Sequence, residues 1–159
     1  MKITVIAVGR LKEKFYREAV AEYEKRLGRY CKLEILQVED EKTPDRASQA
    51  EADLIRKKEA DRIIRLLKED ACVVTLEIAG RMYDSEEFAH TMEKMQISGI
   101  SHIQFVIGGS LGLHAKVCEK ADLAVSFSKM TFPHQLMRVV LLEQIYRAYR
   151  IIHKEPYHK

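Results

Sequence analysis

Apolar and polar residues recur along the chain with two different periods, and the switches between them mark out the elements. The run KITVIAV (Lys2–Val8) is apolar, rich in β-branched residues and stops at Gly9, which predicts a buried strand. In KEKFYREAVAEYEKRLGRY, Phe15, Ala19, Tyr23 and Leu27 recur at helical spacing, and Gly28 marks a stop. KLEILQV (Lys32–Val38) alternates and predicts a half-buried strand near a sheet edge. The polar stretch Glu39–Ser48, with Pro44, predicts one long, mobile loop. A charged helix, QAEADLIRKKEADRIIRLL, follows, with Leu54, Ile55, Ile63, Leu66 and Leu67 on its apolar face.

The pattern then repeats. ACVVTLEI (Ala71–Ile78) predicts a buried strand, AGRMYDS a turn, and Ser85 the N-cap of a helix reaching Gln96. HIQFVIGG predicts a strand, HAKVCEKA a short helix and DLAVSFS the last strand. KMTFPHQ leads into a final helix from about Pro133 to His153. Pro133 suits the first turn, where its missing N–H has no partner to lose. Alternating strands and helices predict an α/β fold: a mainly parallel sheet flanked by helices, in one domain spanning residues 1–159.

Composition narrows the class. The chain is 47% hydrophobic and 32% charged, as ordinary globular proteins are. A net charge of +3 permits a nucleic-acid partner without demanding one. Cys31, Cys72 and Cys118 are odd in number and form no CxxC, which argues against a disulfide framework and against zinc. They read as small core residues of a protein in a reducing compartment, the cytoplasm. The N-terminal apolar run is too short for a signal peptide, and no stretch is long enough to span a bilayer. The six histidines show no metal-ligand spacing, so no metal site is expected.

Ligands of parallel sheets bind at the carboxyl ends of the strands. Three segments leave such ends in the second half of the chain: Glu77–Ser85, Gly108–His114 and Ser126–Pro133. The second, GGSLGLH, lacks the GxxxxGK[ST] phosphate loop and the GxGxxG dinucleotide pattern, and Asp122 comes too early to hold a ribose. Its glycines either let backbone approach a ligand or simply turn the chain. The third, SFSKMTFPH, has Lys129 as its one Lys, Arg, Asp or Glu and is too apolar for an ordinary surface loop. It either plugs into the core or buries a flat neutral group such as adenine. No GxSxG elbow or Cys/His signature marks a covalent nucleophile.

The final helix is apolar around most of its circumference, well beyond a one-sided stripe. Such a helix in a small chain implies burial on its own sheet and against a partner subunit, hence a homodimer. Its narrow polar line carries Gln135, Arg138, Glu143, Arg147 and Arg150, with Glu143 and Arg147 spaced to pair at i,i+4. That line is either a solvated face or a row facing RNA.

VIGGSLGLH, then SFSKMTFPHQLMRVVLLEQIYRAYRI, then the terminal PYHK resemble the ribosomal RNA large subunit methyltransferase H family, small single-domain SPOUT or trefoil-knot methyltransferases. The resemblance extends to ITVIAVGRLKEKFYREAVAEYEKRL and VVTLEIAG, and so covers essentially the whole chain. MTFPH varies mildly from the family's LTxPH-like segment, and Glu39–Ala60 is the least distinctive stretch. The resemblance implies transfer of a methyl group from S-adenosylmethionine to N3 of a pseudouridine in 23S rRNA, on assembled ribosomes, by a homodimer. It also implies a C-terminal knot, which general topology rules would reject. By motif, the cofactor would contact Leu76, Gly108, Gly109 and the run Phe127, Ser128, Lys129, Met130, Thr131 and Phe132.

Neutral pseudouridine carries a proton on N3, so a base or a charge-stabilising group should help. The three loops offer no obvious carboxylate, which leaves His134, Arg138, Tyr157 and His158 as candidates. The tail of one subunit is expected to reach the cofactor pocket of the other. There Tyr157 would position the base and His158 would assist proton removal, with Arg138 as the third catalytic group. Lys159 and Arg147 would hold phosphate, and His134 is also placed at the RNA. Two rival functions are a Rossmann-type NAD-binding enzyme and a ribosome-binding or assembly factor with no catalytic activity.

Overall fold

The computed structural model describes residues 1–159. The elements run β1 (Lys2–Val8), α1 (Lys14–Leu27), β2 (Lys32–Val38), α2 (Gln49–Ile64), β3 (Cys72–Met82), α3 (Ser85–Ile97), β4 (His102–Ile107), α4 (Ala115–Cys118), β5 (Leu123–Ser126) and α5 (His134–Ile152). The five strands form one sheet in the order β2-β1-β4-β3-β5, and every pairing is parallel. The expected α/β architecture is therefore present.

Strands β1 and β4 are buried on both faces, which is why they read as continuous apolar runs. Alternation still operates within them. Ile3, Val5 and Ala7 of β1 and Ile103, Phe105 and Ile107 of β4 face the larger core with Leu141, Leu142 and Ile145. Ile6, Val8 and Val106 face a smaller core with Ala60, Ile63 and Val117. Helices α1, α3 and α5 thus cover one face, and α2 with α4 the other.

Several boundaries differ from the sequence expectation. The turn expected at AGRMYDS is absorbed into β3, which continues to Met82 across a bulge between Leu76 and Arg81 as it pairs with β5. Gly80 makes this possible: a Cβ there would lie 2.8 Å from the backbone carbons of Ala124 and Val125. The cap of α3 is Asp84, not Ser85. The Asp84 carboxylate accepts from the Glu87 N–H, while Glu87 reaches back to the Asp84 N–H, a complete capping box. Pro133 is the N-cap of α5, one position before the first helical residue.

Burial also departs from the helical stripes. Phe15 and Leu54 were placed on apolar faces, yet they are 60% and 53% exposed. Phe15 lies in the first turn of α1, beyond the surface that Val20 and Leu27 bury. On α2 the buried side is Ile55, Glu59, Ala60 and Ile63, which leaves Leu54 outside. The long segment after β2 is irregular, as expected, but pinned at its start. Arg62 bonds the Glu39 carbonyl and the Glu41 carboxylate, and Glu59 accepts the Glu41 N–H.

The burial of α5 bears on the inference drawn from its apolar circumference. No residue of it is exposed in the single chain. The sheet, α1, α3 and the returning tail cover it, so its apolar circumference does not by itself demand a partner subunit. No helix is long and apolar enough to cross a membrane.

Candidate active site

The carboxyl ends of β3, β4 and β5 and the start of α5 enclose a cleft of about 750 Å³. All three segments singled out at strand ends contribute to it, through Glu77 and Ile78, Gly108–Gly112, and Ser126–Phe132 without Lys129, and the strand residues Leu76, Ile107 and Val125 join them. Pro133, His134 and Met137 complete the wall. The volume suits one nucleoside-sized ligand.

The glycine loop forms the floor because its backbone is folded too tightly for side chains. A Cβ on Gly108 would lie 2.7 Å from the carbonyl carbon of Gly112. The Gly112 N–H closes the turn onto the Gly109 carbonyl at 3.0 Å. Helix α2 supports this loop from behind. Arg56 donates to the Leu111 carbonyl at 3.4 Å, and the buried Glu59 carboxylate lies against Gly109. Burial pushes the Glu59 pKa up, although the bond from the Glu41 N–H works against this.

The loop before α5 is compact because its serines bond within it. Ser126 donates to the Ser128 carbonyl at 3.1 Å, and Ser128 accepts from the Met130 N–H at 2.9 Å. Phe127 turns inward to meet Phe88 edge-on, with ring centroids 6.3 Å apart. Lys129 is left outside, so of the residues expected at the cofactor it is the one that does not line the cleft. Leu76, Gly108, Gly109, Phe127, Ser128, Met130, Thr131 and Phe132 all do.

His134, expected at the RNA, stands in the cleft wall. Burial, followed by the charge of Arg138, lowers its pKa, so it is neutral at neutral pH. Sequence reasoning passed over Glu77, the one carboxylate in the lining, which accepts from the Thr75 hydroxyl. The available signal was its position at the end of an apolar strand, where an acid is out of place.

Arg138 does not stand on a polar surface line. It is 1% exposed and donates through Nη2 to the carbonyls of Val8 at 3.2 Å and Gly9 at 2.6 Å. Its Nε and Nη1 have no partner, and burial lowers its pKa. The remaining members of the polar line are committed elsewhere. Glu143 pairs with Arg147 at 2.6 Å, as the spacing predicted, and Arg150 pairs with Glu155 at 2.6 Å.

The tail packs back on its own helix and stays away from its own cleft. Tyr157 donates to Glu143 at 3.0 Å and lies under the Arg147 guanidinium, 4.6 Å from the ring centroid. His158 Nδ1 lies 3.3 Å from Arg147, and its Nε2 3.8 Å from Glu86. Lys159 is exposed. Glu143 follows His134 by nine residues, about 14 Å along a helix. Within one chain, therefore, Tyr157 and His158 do not join Arg138 or the cleft. Burial, reinforced by Glu143, pushes the Tyr157 pKa up to about 12, so its phenol stays protonated at neutral pH. No group of His, Cys, Asp and Glu is placed to hold a metal ion.

The fold and the cleft define a methyltransferase: the family model described as "Predicted SPOUT methyltransferase" matches residues 1–158, and the chain belongs to that family. Within it, the chain is similar to proteins named ribosomal RNA large subunit methyltransferase H. It is 54% identical to that of Clostridium kluyveri and 57% identical to that of Bifidobacterium adolescentis, each over 100% of both chains. A solved structure of a probable methylase family protein from Haemophilus influenzae Rd KW20 shares the fold at 13% identity. Its TM-score is 0.54, and the match covers 99% of this chain and 70% of that one.

Proposed function

We propose that the protein transfers a methyl group from S-adenosylmethionine to N3 of a pseudouridine in 23S rRNA within the ribosome. The observation that carries this is the cleft: three strand ends and the start of α5 enclose about 750 Å³ lined by apolar side chains and glycine backbone, with a single carboxylate. A neutral nucleoside fits such a lining, whereas a triphosphate would lack cationic partners. The names of the full-length relatives support the RNA substrate.

S-adenosylmethionine, when bound, supplies a methyl group already activated on a sulfonium. The chain's own work is then alignment and exclusion of water. The Gly108–Gly112 backbone and Leu76 would hold the nucleoside from one side, and Phe127–Phe132 would cover it from the other. Met137 and His134 close the wall nearest α5.

The tail completes the site from a second copy of the chain. Ile78, Met82, Met130 and Phe132 are 55%, 52%, 73% and 42% exposed, and three of these four line the cleft. An apolar rim of this kind supports a homodimer. Tyr157, a protonated phenol, positions the base; His158 takes the N3 proton. Arg138, anchored to the end of β1, keeps the start of α5 in register with the cleft. The knot implied by the resemblance belongs to the same reading.

Radiolabelled methyl transfer to ribosomes containing pseudouridine, followed by nucleoside analysis, tests the proposal. Label in an N3-methylated pseudouridine is expected. Ribosome association without label would favour the assembly-factor reading. Thermal stabilisation by NADH instead of S-adenosylmethionine would favour the reading as a Rossmann-type NAD-binding enzyme.

A further inference from the structure

The segment RLKEKFYR (Arg10–Arg17) leaves the carboxyl end of β1 and opens α1 beside the cleft. It carries four cations and one acid, Glu13, and Arg10, Lys12, Lys14, Phe15 and Arg17 are all exposed. Its position is built. The Lys12 N–H donates to Gln135 Oε1 at 3.0 Å, which ties it to the first turn of α5 next to His134. Arg17 Nη1 donates to the carbonyls of Leu11 at 3.1 Å and Lys12 at 2.8 Å, which folds the strip onto α1.

The charges here differ from those of the arginines along α1 and α5, whereas Lys154 and Lys159 of the tail are also unpaired. Arg147 is paired with Glu143, Arg29 and Arg150 with Glu155, and Arg26 with Glu22. An incoming phosphate would have to break those pairs. No carboxylate pairs with Arg10, Lys12 or Arg17, while Lys14 shares an exposed contact of 3.5 Å with Glu18. Among these cations Phe15 holds an aromatic ring 60% exposed, tilted against Tyr16 at 4.4 Å between centroids. Free cations interleaved with an exposed aromatic suit single-stranded nucleic acid, whose phosphates meet the charges and whose bases stack on the ring.

We infer that Arg10, Lys12 and Phe15 form the surface that docks ribosomal RNA beside the cleft, with two phosphates on the cations and one unpaired base on the ring. This rests on the proposed RNA substrate. It moves the phosphate contacts from Arg147, whose charge is already satisfied, to the start of α1.

The test compares an R10Q/K12Q variant with wild type and with R65Q/K68Q, which removes equal charge from exposed positions in the turn between α2 and β3, at the amino end of the strands. Binding to purified ribosomes is followed by sedimentation across a salt series, cofactor binding by calorimetry and oligomeric state by gel filtration. For R10Q/K12Q, ribosome affinity is expected to fall by about tenfold or more, and the slope of log affinity against log salt by about 2. Cofactor affinity and elution should be unchanged. F15S is expected to weaken binding by about tenfold with the salt slope intact. An equal loss in R65Q/K68Q, an unaltered salt slope in R10Q/K12Q, or an altered oligomeric state in R10Q/K12Q would each overturn the inference. The last would mark the strip as a contact between copies. If wild type neither binds nor methylates ribosomes, the RNA-substrate reading itself fails, a result distinct from any difference among the variants.

Discussion

The two ends of α5 are built on opposite plans. At its start, His134 and Met137 face an open cleft, and the buried Arg138 has two nitrogens with no partner. At its end, Glu143, Arg147, Arg150, Tyr157 and Glu155 bond one another, although the buried Arg150 Nε and the Tyr149 hydroxyl have no partner. Buried polar groups are normally satisfied, because leaving one bare costs about 1–3 kcal/mol. Each end leaves two such atoms bare, so the ends differ in what they face: the start borders the cleft, and the end packs under the returning tail. The closed end also fixes the direction of the tail. Lys154, at φ 54°, reverses the chain after α5, with the Glu155 N–H bonded to the Arg150 carbonyl at 2.9 Å.

Four measurements would break or sharpen this contrast. The largest effect is expected from deleting Tyr157–Lys159. Methyl transfer should fall by roughly 100-fold or more, since misplacing the base costs about that much, while cofactor affinity stays level. Activity in this truncation would show the tail to be structural only. Next, Gly108→Ala strikes the open end alone. The added Cβ forces the loop backbone apart, and calorimetry should show cofactor binding weakened by about 2 kcal/mol with the tail network intact. Unchanged affinity would mean that the loop is not the cofactor floor.

The third effect is smaller and depends on pH. His134 at the cleft and His102, bonded to the Thr4 hydroxyl at 2.9 Å, both have pKa values lowered by burial. Below the unfolded value of about 6.5, the unfolded chain takes up protons that these two refuse in the fold. Stability should therefore be full above that pH and decline as pH falls through it. Melting temperatures at pH 7.5 and 5.5 test this, and His102→Asn should reduce the difference between them. Carboxylates with lowered pKa, such as Glu34 and Glu155, act only at more acidic pH and do not confuse the comparison. The smallest effect is at the closed end. Lys154→Gly relieves a left-handed residue and should raise stability by about 0.5 kcal/mol in denaturant titrations, with turnover unchanged.

Much of the site was legible before the structure. An apolar run that ends in glycines, followed by a loop with too few charges, drew attention to these strand ends, and the cofactor residues that the family resemblance implied, from Leu76 to Phe132, meet there in one cleft apart from Lys129. Lys129 lies outside the lining because its outward direction depends on two serine turns that hold its neighbours. Glu77 was missed although it opens one of the three segments named at strand ends, and Arg138 was misassigned because it was grouped with Arg147 by polarity, whereas nine residues at about 100° each put the two on opposite sides of the helix. The burial of Arg138 depends on β1, whose last carbonyls lie more than a hundred residues earlier in the chain.

The amino-acid sequence by itself determined the order of the strands and helices, the parallel character of the sheet and the loops that carry the ligand surface. Each of these follows from local periodicity and from the backbone demands of glycine and proline. Only the tertiary structure decided which cations are free and which are neutralised, which face of α5 is covered and where the tail rests. Those outcomes depend on which groups meet across the chain. A charge changes its worth with the dielectric around it and the partner opposite it, and neither is written in the spacing of residues along one strand or helix.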